Sequence, residues 1–158
     1  MPDPDMLRSV RSSCLLVSTM LIACAPAPSP EQKPPDPTTE PWYSKAVDEL
    51  AAMNREAMED FHKGKEDDAS ALVQKGEAAS GRLLSVPHPT LAAAEAVSDV
   101  DRLYGEMLFS NKNYGWARLL FQRNVARWKN WTPQTPETAR RLKEAETSIA
   151  ECDRHIDQ

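Results

Sequence analysis

The chain is short of several things, and each shortage excludes a class. It has only 5 glycines in 158 residues, which excludes a collagen-like repeat. Its 3 cysteines are too few for a disulfide scaffold. It has no surplus of positive charge: the net charge is -5, which excludes a strongly basic nucleic-acid binder. Aromatic residues make up 6%, and none precedes Trp42. The mostly apolar run Cys14–Ala23 would reach about 15 Å as a helix, half of the roughly 30 Å hydrocarbon core, so it cannot span a membrane.

Proline is what the chain has in excess. There are 13, and nine of them lie in the first 41 residues, so the chain is not uniform. The apolar run follows Arg8 and Arg11 and ends on a small residue, Ala23. A basic start, a short apolar run and a small residue before the break describe a secretory signal peptide. Asp3 and Asp5 make the start less positive, and a start at Met6 would remove both.

The segment Leu21-Ile22-Ala23-Cys24 resembles the lipobox of bacterial lipoproteins. The resemblance implies cleavage after Ala23, a diacylglyceryl thioether on Cys24 and acylation of the new amino group. The residue types suit that chemistry, because a thiolate is the nucleophile and a small residue fits a peptidase cleft. Several acyl chains hold a protein firmly to a bilayer, whereas one is marginal. An Asp after the cysteine resembles an inner-membrane retention signal in enteric bacteria. Ala25 stands there instead, which points to the outer membrane, facing the periplasm. An ordinary signal peptide cut after Ala25 or Ala27 is the alternative. With Cys14 removed and Cys24 acylated, Cys152 has no partner for an internal disulfide, and its neighbours Ile149 and Ile156 place it on an apolar helix face as a structural residue.

Residues 25–41 hold seven prolines and no large apolar side chain. Such a segment cannot bury enough surface to fold and is expected to be an extended polyproline II tether. The expected division is residues 1–23 as signal peptide, 24–41 as lipidated cysteine and tether, and 42–158 as one domain.

From Trp42 the apolar residues recur at three- and four-residue steps, which predicts an all-α domain of about five helices in antiparallel hairpins. The first helix covers about 42–63, with Val47, Leu50, Met53 or Asn54, Ala57, Met58 and Phe61 inward. Lys63-Gly64 stops it. The second covers about 66–84, opened by Glu66-Asp67-Asp68, with Ala69, Leu72, Val73, Gly76, Ala79 and Leu83 inward. Thr90 caps a third, about 91–110, whose face is Leu91, Ala94, Val97, Val100 or Asp101, Tyr104, Met107 and Leu108. The fourth, about 114–130, turns Tyr114, Ala117, Leu120, Phe121, Val125 and Trp128 inward. Thr135-Pro136-Glu137 opens the fifth, about 136–156, with Leu142, Ala145, Ile149, Cys152 and Ile156 inward.

The segment Phe61-Xxx-Xxx-Gly64 … Ala69-Xxx-Xxx-Leu72 resembles the turn of a tetratricopeptide repeat. Leu103-Tyr104-Gly105 … Tyr114-Gly115-Trp116-Ala117 … Phe121 resembles it too. The resemblance covers roughly 45–130 and implies a groove for a protein or peptide rather than an active site. The spacing from Ala69 to Ala117 is 48 residues against about 34 in the family, and two units fall short of three, so a plain helical bundle using repeat-like turns stands beside it.

No catalytic set is legible. His62, His88 and His155 pair with no other ligand at metal spacing, and no phosphate loop or nucleophile elbow occurs. No cofactor and no metal is implied, nothing points to a small-molecule ligand, and nucleic acid is a poor partner for an exported acidic protein. One stretch stands out. Residues 112–131 carry Lys112, Arg118, Arg123, Arg127 and Lys129 without an acid, interleaved with Tyr114, Trp116, Phe121, Trp128 and Trp131. Trp116 and Trp131 fall off the apolar face. Tyr104, Trp116, Arg123, Arg127 and Trp131 are therefore the candidate binding residues. Their competing reading is core aromatics, with arginines solvated or paired to acidic helices. Two functions follow: a lipid-anchored envelope scaffold or adaptor held to an unidentified envelope protein, or a non-catalytic binder of an envelope polymer such as peptidoglycan or an anionic glycan.

Overall fold

The computed structural model describes residues 35–157. The expected signal segment, the lipobox-like Leu21–Cys24 and most of the expected proline-rich tether lie outside the described residues. Among those described the fold is all-α, in five helices: α1 Pro41–His62, α2 Glu66–Leu84, α3 Leu91–Ser110, α4 Tyr114–Asn130 and α5 Pro136–Ile156. None of them is long and apolar enough to cross a membrane. The end of the tether differs from the expected extended chain. Pro37–Thr39 form a 3-10 turn, with the Asp36 side chain accepting from the Thr38 N–H. Proline suits this first-turn position because its missing N–H would have no partner there.

Local signals place the helix ends. Pro41 occupies the first turn of α1 for the same reason, one residue earlier than expected. The Thr90 hydroxyl accepts from the Ala93 N–H at the start of α3. At α5, Thr135 and Thr138 cap each other reciprocally. The two hairpins close by the same turn, 48 residues apart. Gly64 adopts φ +74 and Lys112 adopts φ +61. In each case the next residue donates back across the turn, Lys65 to the Asp60 carbonyl (2.9 Å) and Asn113 to the Leu108 carbonyl (2.8 Å). A left-handed non-glycine residue costs about 1–2 kcal/mol, so the tertiary contacts on either side hold Lys112 there. Phe61 and Phe109 precede these turns, and the buried Ala69 and Ala117 follow them.

The helices pack as α1 on α2, α3 on α4 and α5 on α4, with α3 also against both α1 and α2. That central place explains why α3 is buried more widely than its expected stripe. Ala93, Ala96, Ser98, Leu103 and Gly105 are buried as well, and the small size of all but Leu103 permits close approach on several sides. A Cβ added at Gly105 would meet the Phe121 ring at 2.6 Å. Tyr43 is almost fully buried, although the expected face began only at Val47. Its hydroxyl donates to the Leu83 carbonyl and accepts from the Thr90 N–H, so one phenol joins α1, α2 and the start of α3. Trp128 is fully buried, and its indole N–H donates to the Ser98 hydroxyl at 2.9 Å. Truncating a ring of that kind to alanine costs about 3–5 kcal/mol.

On α5, Cys152 is fully buried with Ala117 and Phe121, as its neighbours suggested. Burial pushes its thiol above the ordinary range. Ile156 is a correction: it is 49% exposed. The last turn of α5 lies beside the start of α4, where His155 rather than Ile156 makes the contact, stacked on Tyr114.

A candidate binding groove on α4

The three arginines of the 112–131 stretch pair with acids on other helices, while Lys112 and Lys129 are exposed. Arg118 donates to Asp153 of α5 at 2.6 Å. Arg127 donates to Asp101 of α3 at 2.7 Å and to the Asn124 side chain, and its own side chain is only 12% exposed. Arg123 lies between two helices, 3.3 Å from Glu77 of α2 and 3.0 Å from Asp101. Asn124 donates to the Ser98 carbonyl at 2.9 Å, which gives this buried amide a partner on α3. Burial pushes the Asp101 carboxyl above the ordinary carboxylate range, and the attraction of Arg127 and Arg123 works against that rise.

The candidate residues therefore divide. Tyr104, Trp116 and Arg123 line one groove of about 690 Å³, together with Leu108, Leu119 and Leu120. Trp116 is 68% exposed and Leu119 is 48% exposed. Arg127 and Trp131 do not line it. Arg127 holds the buried aspartate, and Trp131 rests half-buried with its ring edge-on to Trp128. Asn113 lies at one end of the groove and Glu77 on its α2 wall. Leu119 escaped the sequence reading because only the inward stripe of α4 was followed. Trp116, Leu119 and Arg123 form a second stripe at three- and four-residue spacing, and that spacing was available as a signal.

A second groove, of about 750 Å³, runs between α3 and α5. Its charges satisfy one another: Arg102 with Glu106, Arg141 with Asp99, and Arg140 with Glu144. It is a solvated seam of internal ion pairs with no apolar anchor. His155 is packed between rings, stacked on Tyr114 at 4.6 Å and edge-on to Phe109, while His62 and His88 are exposed. Among the described residues no three His, Cys, Asp or Glu side chains are placed to hold a metal. Glu66, Asp67 and Asp68 are exposed at the start of α2.

The groove on α4 can bury apolar and aromatic surface against another chain. An exposed tryptophan beside leucines is the kind of anchor that dominates protein interfaces. Comparison with protein-family models, with curated proteins and with solved structures gave no match.

Proposed function

We propose that the chain is a lipid-anchored helical adaptor of the cell envelope, without catalytic activity of its own, that holds an envelope protein in the groove on α4. The observation that carries this reading is the exposed Trp116–Leu119 stripe above Tyr104 and Leu108. The lipobox at Leu21–Cys24 and the proline-rich segment after it support an anchored, outward-held domain on the outer membrane, facing the periplasm. The alternative, a binder of an anionic envelope polymer, has less to work with, because Arg118, Arg123 and Arg127 are engaged internally and only Lys112 and Lys129 of that stretch remain exposed without an acid.

The groove is tested by pull-down from detergent-solubilised membranes. A specific partner should be recovered with the native chain and lost with Trp116→Ala plus Leu119→Ala, while circular dichroism and the melting midpoint stay unchanged. Equal recovery by the double variant would remove the groove from the reading. The anchor is tested separately: Cys24→Ser should move the protein out of the membrane fraction.

A further inference from the structure

We propose that the segment seated in this groove is a basic amphipathic peptide, one Lys or Arg side chain of which meets Glu77 while its apolar side chains lie against Tyr104, Leu108, Trp116 and Leu119. This rests on the reading of the groove as the partner site. The first reason is a shortage of donors at its α2 wall. Arg123 is shared between carboxylates on two helices, Glu77 at 3.3 Å and Asp101 at 3.0 Å. Asp101 has a second guanidinium, Arg127. Glu77 has none, and Glu77 Oε1 and Asp101 Oδ1 are both buried without accepting a hydrogen bond. A buried acceptor left without a donor destabilises the fold. An incoming ammonium or guanidinium would serve Glu77 and leave Arg123 to Asp101.

The second reason is the rest of the surface. The faces of Trp116 and Tyr104 in the same groove favour a cation over an anion. Glu66, Asp67 and Asp68 open α2, at the end of the bundle where α4 also starts, and the whole chain carries net charge -5. Both features draw a basic segment inward. From Asn113 to Arg123 the groove spans about 15 Å of helix, room for roughly three turns of a helical peptide.

The test uses the full-length protein in phosphatidylcholine nanodiscs and fluorescein-labelled 14-residue peptides, followed by anisotropy with empty discs as background. Three peptides share leucines at three- and four-residue spacing and differ at the flanking positions, which are Lys, Glu or norleucine. The Lys peptide should bind at least about tenfold more tightly than the Glu peptide. Glu77→Gln should remove most of that ratio and leave the norleucine peptide unchanged. Trp116→Ala should weaken the Lys and norleucine peptides together. Equal binding of the Lys and Glu peptides, or a ratio unmoved by Glu77→Gln, would overturn the basic segment while the Trp116 effect left the groove standing. Insensitivity of every peptide to Trp116→Ala would remove the groove itself. Cross-linking of two chains through the groove, in place of peptide binding, would assign it to a second copy and overturn the proposal.

Discussion

The pair Asp101–Arg127 offers the sharpest perturbation of this fold. Asp101 is fully buried on α3, and Arg127 on α4 is 12% exposed at its side chain, with Nη2 to Oδ2 at 2.7 Å. Taking two charges out of water costs several kcal/mol each, and their attraction recovers that cost only while both are present. Removing one partner by Asp101→Ala strands the guanidinium, with only the Asn124 side chain still accepting from it. The expected loss is about 3–5 kcal/mol, a large part of the roughly 5–15 kcal/mol that holds a domain together. At about 3–5 °C per kcal/mol for a domain of this size, the melting midpoint should fall by roughly 10–20 °C. Replacing both, as Asp101→Leu with Arg127→Met, removes the stranded charge. Arg123 keeps Glu77, and the remaining cost is the Asn124 oxygen left without its donor, about 1–3 kcal/mol. The double variant should therefore be more stable than Asp101→Ala. Urea unfolding followed at 222 nm measures both, provided the slopes agree. A single-variant loss below about 1 kcal/mol, or a double variant worse than either single one, would refute the assignment of this pair as a coupled buried unit.

Three further outcomes follow. The raised carboxyl of Asp101 makes its contribution largest in acid, where the group is protonated in both states, and smaller as pH rises through its folded value. The stability difference between the native chain and Asp101→Asn should then shrink as the pH rises above the ordinary carboxylate value, and a growing difference in urea titrations would show the arginines outweighing burial. Gly105→Ala forces a Cβ to 2.6 Å from Phe121, so overpacking of about 1–3 kcal/mol should outweigh the roughly 1 kcal/mol gained in helix propensity, whereas Gly81→Ala, which meets nothing within 4 Å, should stabilise; thermal melts distinguish the two. Hydrogen bonds from Arg140 and Arg141 hold the exposed Glu137 carboxyl at about 2, against an ordinary 4.5, so its support of α5 is present above the ordinary value and lost as pH falls through about 2. Carbon-13 titration of that carboxyl should place its midpoint below 3 in the native chain and move it up in Arg140→Ala plus Arg141→Ala.

What could be read along the chain was whatever local chemistry decides. Helix ends depend on caps, first-turn prolines and residues that can turn left-handed. Thr90, Pro41, Pro136 and Gly64 act within a few residues of themselves, so the five helices were legible to within a residue. The inward stripes were legible too, since 3.6-residue periodicity is a property of one helix alone. The stripe on α4 marked Ala117, Leu120, Phe121 and Trp128 as core, and they are. Even the exposure of Trp116 followed from its place off that stripe.

The tertiary structure decided what one helix cannot know, which is what stands opposite. Asp101, Asn124 and Ser98 look like surface residues by type, yet they form the polar centre of the α3–α4 contact because each finds its partner on the other helix. The arginines of the 112–131 stretch look like a basic face in sequence, and long-range pairing to Asp101, Glu77 and Asp153 turns three of them into struts. Ile156 keeps apolar spacing yet stands 49% exposed. The groove itself has members on α2, α3 and α4, from Glu77 to Arg123. Composition, periodicity and caps act locally and so are written along the chain. A binding surface assembled from three helices exists only once hydrophobic burial has brought those helices together.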